Sequence, residues 1–325
     1  MRAVAIINAD ARGLRGPLRR RLEQALPGRV RVTASLAEAR TAIREEIPRG
    51  LDLVILGGGD GTVVMGLTLV AEACRGAGRP EPAIGVLRLG GANALADAVG
   101  ATDDAVEDLA ALARGRGTWR RVPMLDVLGL RAPYVGVGID AQLLEDRDVV
   151  ERAVERVPGA RRLVGDGARR VLALALRSAP RIVREVRLRA TVVNAGAPAI
   201  EMARGGATGR EVARGGVLWT GPYTLLAAGT LPYLGRGLQM FPFAGERSDR
   251  FQLRCGDAGW LELVRNASAA RRGEYFSRHV TDFLCERVTI ELDREGAIEV
   301  GGELLGRRRT VELGLTAPVT LVSLA

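Results

Sequence analysis

The strongest constraint on the fold of this chain lies at its third apolar run. Leu51-Asp52-Leu53-Val54-Ile55-Leu56 passes directly into Gly57-Gly58-Gly59-Asp60-Gly61-Thr62, and an apolar, helix-like segment follows. A short run this apolar suits a strand buried on both faces, as strands of a parallel sheet are. The glycines then mark a tight passage from strand to helix. The surroundings repeat this alternation. Strands are predicted over 3–7, 29–33, 51–56 and 83–89, and helices over 17–26, 36–47, 63–75 and 93–99. A further helix is announced by Thr102-Asp103-Asp104, and Pro17 sits where a first helical position tolerates it. Strands alternating with helices predict an α/β unit with a parallel, two-faced sheet.

The pattern changes between Trp119 and Pro123. From there strands dominate, predicted over 122–130, 134–139, 186–193, 217–220, 223–228, 251–254, 260–264, 288–292 and 310–313. A helical insertion interrupts them over about 143–182. The expected architecture is an N-terminal α/β domain, 1–121, followed by a mainly antiparallel β-sandwich domain, 122–325. With no low-complexity linker between them, the two should pack closely around a cleft.

In open α/β sheets, ligands bind where strands end and helices begin. Glycines there let the backbone approach a phosphate, and N–H groups of the turn and helix start cradle it. Gly57, Gly58, Gly59, Gly61 and Thr62 are therefore candidate phosphate-binding residues. An acid beside anions is costly unless it has a cation or a proton to handle, which makes Asp60 the leading catalytic candidate. One helix and one strand later comes a second small-residue turn, Arg88-Leu89-Gly90-Gly91-Ala92-Asn93. Asn93 there either caps the following helix or offers its amide to a nucleotide.

Composition removes several alternatives. All 47 basic residues are Arg, with a net charge of +9. Without Lys there is no Walker-type phosphate loop, no protein-kinase strand lysine and no Schiff base. The 3 Cys are far apart and the only His is His279, which speaks against a structural zinc site, a disulfide framework or a histidine-based triad. The N-terminal apolar run is too short for a signal peptide. Glycines and prolines in the long uncharged stretch 215–235 argue against a membrane span. No nucleic-acid-reading motif or aromatic platform accompanies the positive charge.

The two turns resemble those of the diacylglycerol kinase catalytic-domain family, which includes sphingosine and ceramide kinases and bacterial lipid kinases. The similarity rests on Ile6-Ile7-Asn8, on Gly58-Gly59-Asp60-Gly61-Thr62 and on Leu89-Gly90-Gly91-Ala92-Asn93-Ala94-Leu95-Ala96. It extends to Tyr134-Val135-Gly136-Val137-Gly138-Ile139-Asp140, to Phe241-Pro242-Phe243-Ala244 with Asp249, and to Gly301-Gly302-Glu303. The chain departs from the family pattern at Ala9, Arg88, Gly91, Val64-Met65 and Gly301. At Gly301 relatives usually carry the Asp of Asp-Gly-Glu.

The resemblance implies an ATP- and Mg²⁺-dependent kinase acting on a lipid hydroxyl, with Asp60, Asp140 and Glu303 as catalytic-site residues. Asn8, Gly57, Gly58, Gly59, Gly61, Thr62, Arg88, Gly90, Gly91 and Asn93 would bind the nucleotide. Metal ligands are not specified. Arg would take the charge role that Lys fills elsewhere. The expected setting is the cytoplasm, with peripheral attachment to the inner membrane surface through Arg-rich faces. Candidate faces are Arg15, Arg19, Arg20 and Arg21; Arg161, Arg162, Arg169 and Arg170; and Arg307, Arg308 and Arg309. Two alternatives remain: an NAD kinase, which shares the first turn but usually carries an Asn-Glu pair absent here, and a non-catalytic nucleotide or lipid sensor.

Overall fold

The structure is a computed structural model that describes residues 1–11, 14, 16–138, 141, 144, 188–235 and 237–324. Its first sheet contains β1 (Ala3–Asn8), β2 (Val30–Thr33), β3 (Leu53–Gly58), β4 (Ala83–Arg88), β5 (Thr118–Val122) and β20 (Val319–Ser323), in the order β2-β1-β3-β4-β20-β5. All neighbours are parallel except β5, which runs antiparallel to β20. The expected α/β unit is thus present. An expected division at residue 121 leaves out one strand, because β20, at the end of the chain, is hydrogen-bonded into this first sheet.

Alternation along the strands explains their unbroken apolar character. Val54 and Leu56 of β3, with Ile84 and Val86 of β4, face one side. There they pack on Ile43 of α2 (Leu36–Glu46) and on Leu67 and Val70 of α3 (Asp60–Ala77). Leu53 and Ile55 face the other side, against Leu22 of α1 (Gly16–Ala25) and Leu109 and Leu112 of α5 (Ala105–Ala113). Both faces are covered, so both parities of the strand must be apolar.

The second sheet is antiparallel. It joins β6 (Leu125–Val127), β7 (Leu130–Ala132), β8 (Tyr134–Gly136), β9 (Arg189–Asn194), β10 (Ala199–Ala203), β11 (Gly206–Val212), β12 (Val217–Pro222), β13 (Leu225–Gly229), β16 (Phe251–Gly256), β17 (Val280–Cys285), β18 (Val288–Val300) and β19 (Glu303–Leu315). Val127, Val135, Val192, Leu218, Phe251, Phe283 and Ile290, from strands spread along it, share one buried cluster. The sheet therefore folds over its own core, as a sandwich does. A separate hairpin, β14 (Tyr233–Gly235) with β15 (Leu238–Gln239), stands beside it.

Three predicted elements are corrected. The strand expected over 122–130 is broken: Val122 ends β5 in the first sheet, Pro123 follows, and Leu128 and Gly129 turn the chain with φ of 52° and 77° into a β6–β7 hairpin. The strand expected over 260–264 is the helix α6 (Trp260–Arg265), followed by α7 (Ala267–Arg271). A run this short has no periodicity that separates strand from helix. The helix expected from 63 begins three residues earlier, since α3 starts at Asp60 and β3 runs on to Gly58. Apart from Leu144, the predicted insertion over 143–182 lies outside the described residues.

The two sheets meet along α3. Val64, on its second turn, is 2% exposed and belongs to the apolar cluster of the second sheet. One turn later, Thr68 Oγ1 accepts the Arg131 N–H at 3.1 Å. Arg131 also pairs with Glu81 at 2.6 Å.

Candidate functional site

Only Gly59 separates β3 from α3, so strand and helix are joined by the shortest possible passage. Glycine is required there by close approach. A Cβ on Gly58 would lie 2.6 Å from Thr62 Cβ. One on Gly57 would press on Ile7 and Leu89 at 3.1 Å. Gly59 is the N-cap of α3 and has no side chain with which to cap it. The leading N–H groups of an 18-residue helix therefore face the end of the sheet uncapped, as an anion-binding turn requires. Asn8, at the end of β1, donates its Nδ2 to Thr62 Oγ1 at 3.1 Å and fixes that side chain.

The second turn packs directly on the first. A Cβ on Gly90 would strike Gly59 Cα. Asn93, at φ 57°, begins the short α4 (Ala94–Ala98) without capping it. Its amide folds back on the turn instead: Oδ1 accepts the Gly90 N–H and Nδ2 donates to the Gly90 carbonyl, both at 2.9 Å. Asn tolerates this left-handed backbone better than most residues. Arg88 turns away from the first turn. Its guanidinium pairs with Asp97 and donates through Nε to the Ala101 carbonyl at 3.1 Å. Asp97 also accepts the Gly237 N–H at 3.2 Å, tying α4 to the β14–β15 hairpin. Gly91 lies exposed at the tip.

The third component comes from the second sheet. β18 and β19 are joined by Gly301 and Gly302, with φ of 54° and 85°, a two-residue turn in which both residues need positive φ. The turn rests on the start of α3. A Cβ on Gly302 would sit 3.5 Å from Asp60 Cβ and 3.6 Å from the Tyr134 hydroxyl. Glu303 follows and lies against Gly61, where a Cβ would meet the Glu303 carboxyl group. The fourth glycine of the motif is thus the seat of Glu303. A Cβ on Gly301 would strike Val64 Cγ2. The two departures at Val64 and Gly301 therefore explain each other: the valine occupies the volume into which a side chain at 301 would project.

Asp60 is 6% exposed and its Oδ2 has no hydrogen-bond partner. Burial pushes its carboxyl from 3.8 up to about 6, against the opposing pull of the Ala94, Leu95 and Asn93 N–H groups; Asp97 adds a smaller upward push. An orphaned buried carboxylate oxygen is rare in a structural role, and a perturbed acid at a strand-end turn marks a functional group.

The structure thus brings Asp60, Glu303, the two turns and Asn8 together. Asp140 lies outside the described residues. Sequence reading quoted Tyr134, Val64 and Gly302 without giving them a part in the site, and it missed Asp97 altogether. Tyr134 is fully buried and nothing in its local sequence distinguishes it from a core aromatic. Asp97 is visible only once Arg88 is seen to turn toward it. Among the described residues no three acidic, His or Cys side chains gather into a ready metal cage. Mg²⁺ that arrives on a nucleotide needs only one or two carboxylates besides phosphate oxygens, and the free Oδ2 of Asp60 fits that modest demand.

This geometry agrees with the comparisons. Residues 3–126 match the diacylglycerol kinase catalytic domain. The match covers both glycine-rich turns and the start of the second sheet. The whole fold is shared with solved structures from Bacillus anthracis str. Sterne. A candidate diacylglycerol kinase superposes with a TM-score of 0.65 at 14% identity, over 99% of this chain and 96% of its own. A diacylglycerol kinase gives 0.61 at 14% identity, over 99% and 96%. A second candidate gives 0.62 at 14% identity, over 99% and 97%. No curated protein matches the chain. The diacylglycerol kinase resemblance read from the two turns therefore holds in the domain match over residues 3–126, and the solved structures share the fold of the whole chain.

Proposed function

We propose that the protein is an ATP-dependent lipid kinase that phosphorylates a hydroxyl of a sphingoid base, ceramide or diacylglycerol. The observation that carries this reading is the buried, unpartnered Oδ2 of Asp60 at the mouth of an uncapped helix, within a domain that matches a lipid-kinase family. Phosphoryl transfer asks a protein mainly for positioning and charge stabilisation. Backbone N–H groups of Gly57, Gly58, Gly59, Gly61 and Thr62 hold the phosphates. Gly90, Gly91 and Asn93 shape the neighbouring wall, and Asn8 steadies Thr62. Arg88 contributes by holding that wall through Asp97. Mg²⁺, when bound, neutralises the charge of the transferring phosphate.

The acceptor hydroxyl oxygen attacks the γ-phosphorus, the bond to the β–γ bridging oxygen breaks, and ADP leaves. Asp60 Oδ2 takes the hydroxyl proton. With its pKa near 6, Asp60 is ionised at neutral pH yet still basic enough to accept that proton. Glu303, contributed by the second sheet, lines the acceptor side, and the family resemblance assigns Asp140 the same role. The first unit holds the nucleotide and the second the lipid, consistent with a cytoplasmic enzyme that visits the inner membrane surface. Among the described residues no helix is long and apolar enough to cross a membrane.

The test is transfer of label from γ-labelled ATP to a panel of lipids and to NAD. Organic-phase product that disappears in Asp60→Asn is the expected result. Label on NAD selects an NAD kinase. Nucleotide binding without transfer to any acceptor selects a sensor, and either result overturns the proposal.

A further inference from the structure

Outside the site, the most unusual surface is the edge strand β5 and the loop that leads into it. Residues 114–121 read Arg-Gly-Arg-Gly-Thr-Trp-Arg-Arg, with no acid, and all eight are exposed. Trp119 is 55% exposed. The guanidiniums of Arg114, Arg116, Arg120 and Arg121 have no hydrogen-bond or ion-pair partner among the described residues. β5 closes one end of the first sheet and, among the described residues, pairs only with β20. Its strand partner offers no countercharge, being Val319-Thr320-Leu321-Val322-Ser323. Exposing a tryptophan to water forfeits much of its burial energy; alternation along the strand puts Arg121 on the face of Trp119 and Arg120 on the opposite face.

Strand register places this surface relative to the site. Leu321 lies opposite Ile84 on β4, and Ser323 lies opposite Thr118 on β5. Thr118 is therefore level with Val86, two residues before the end of β4 at Arg88. Arg120, opposite Leu321, is level with Ile84, and Arg121 lies one residue farther from the turns; on the other side of Thr118 the chain bends at Gly117 and Gly115, with φ of 112° and 75°, into the C-cap of α5 at Arg114. Between β3, which carries Asp60, and β5 stand β4 and β20, a span of about 14 Å at ordinary strand spacing.

We propose that Trp119, Arg114, Arg116, Arg120 and Arg121 form a docking surface for an anionic lipid leaflet. Tryptophan is the side chain best suited to the headgroup layer. Arginines near it gain attraction from anionic headgroups that falls away within a Debye length. An unpaired cationic strip with no acid is complementary to such a surface. The single indole gives a shallow hold that suits reversible attachment. Docking here lays the leaflet along an edge strand three strand spacings from β3, the lateral distance that a lipid leaving the membrane has to cover to reach Asp60. That last consequence rests on the kinase reading, whereas the docking does not.

The experiment is co-sedimentation with vesicles of phosphatidylcholine alone and of phosphatidylcholine mixed with phosphatidylglycerol, with tryptophan emission followed in parallel. The expected result is binding to the anionic vesicles only, weakened as salt rises, with a blue shift in emission that Trp119→Phe removes. Arg120→Glu with Arg121→Glu, or Arg114→Glu with Arg116→Glu, lowers anionic-vesicle binding by at least about tenfold. Because these residues are exposed, Arg→Gln versions with unchanged melting curves guard against misfolding. Equal binding to neutral vesicles, or binding insensitive to both Arg pairs, overturns the proposal. So does binding of duplex nucleic acid through the same arginines while vesicles are ignored. If no lipid is phosphorylated at all, the kinase reading falls while the vesicle result still decides the docking. If both stand, the Arg variants lose transfer to vesicle-borne lipid and keep transfer to a short-chain, water-soluble acceptor.

Discussion

The two glycine-rich turns occupy neighbouring strand ends and look alike in sequence, yet they are built on opposite principles. The second is stitched to itself: Asn93 makes two hydrogen bonds to Gly90, and Arg88 pairs with Asp97 beneath it. The first is shaped by close packing on its glycines, with the bond from Asn8 to Thr62 and the pull of the Ala94, Leu95 and Asn93 N–H groups on the Asp60 carboxyl as its polar ties. It leaves the helix start uncapped, and it buries a carboxylate oxygen with no partner. A turn whose polar groups are satisfied is a scaffold. A turn that keeps them unsatisfied holds them in reserve for a ligand, at a cost in stability. Substitutions in the first should therefore strike rate, and substitutions in the second should strike stability.

The largest effect is expected at Asp60. Asp60→Asn removes the base and should lower kcat about 10³-fold, within the usual range for a positioned general base. Glu303→Gln comes next, with a loss in kcat of about tenfold and little change in KM for ATP, read by initial rates against both substrates. The acidic limb of the pH profile is the third test. Because Asp60 must be ionised to accept a proton, kcat/KM should rise with pH and level off above about 6, the value to which burial lifts its carboxyl. A limb near the ordinary carboxylate value would break the link between burial and reactivity. On the scaffold side, Asn93→Ala removes both bonds to Gly90 and should cost about 1–2 kcal/mol in denaturant unfolding. Arg88→Gln, in a partly exposed ion pair, should cost about 1 kcal/mol or less. Asn93→Ala should leave the pH limb in place, whereas Arg88→Gln bares the Asp97 charge that pushes Asp60 up and should move the limb slightly to higher pH.

Much of this was legible in the residues. The parallel sheet was visible because strands covered on both faces are apolar at every position, as Leu53 to Leu56 show. Asp60 stood out because an acid among phosphate-binding glycines needs a reason. The second sheet was harder. Its long strands β18 and β19 carry exposed, charged middles such as Arg307 to Arg309, so only their apolar ends read as strand. Return of β20 to the first sheet depends on a long-range pairing with β4 and β5 that no local pattern encodes. The match between Val64 and Gly301 was equally hidden. Each looked like a separate departure from the family, and only their contact across the two sheets shows them to be one change.

Stability and activity at Asp60 are coupled in sign. An acid whose pKa is raised on folding contributes stability that is fully present below its unfolded value of 3.8 and is lost as pH rises through about 6. At pH 8 the ionised, buried carboxylate therefore costs about 3 kcal/mol, most of which a neutral amide of the same shape removes. The decisive measurement is labelled-phosphate transfer to lipid and thermal unfolding, made on the same preparations of wild type and Asp60→Asn at pH 8. The account predicts that Asp60→Asn loses transfer and melts a few degrees higher. Retained transfer, or a melting point that falls, would contradict it.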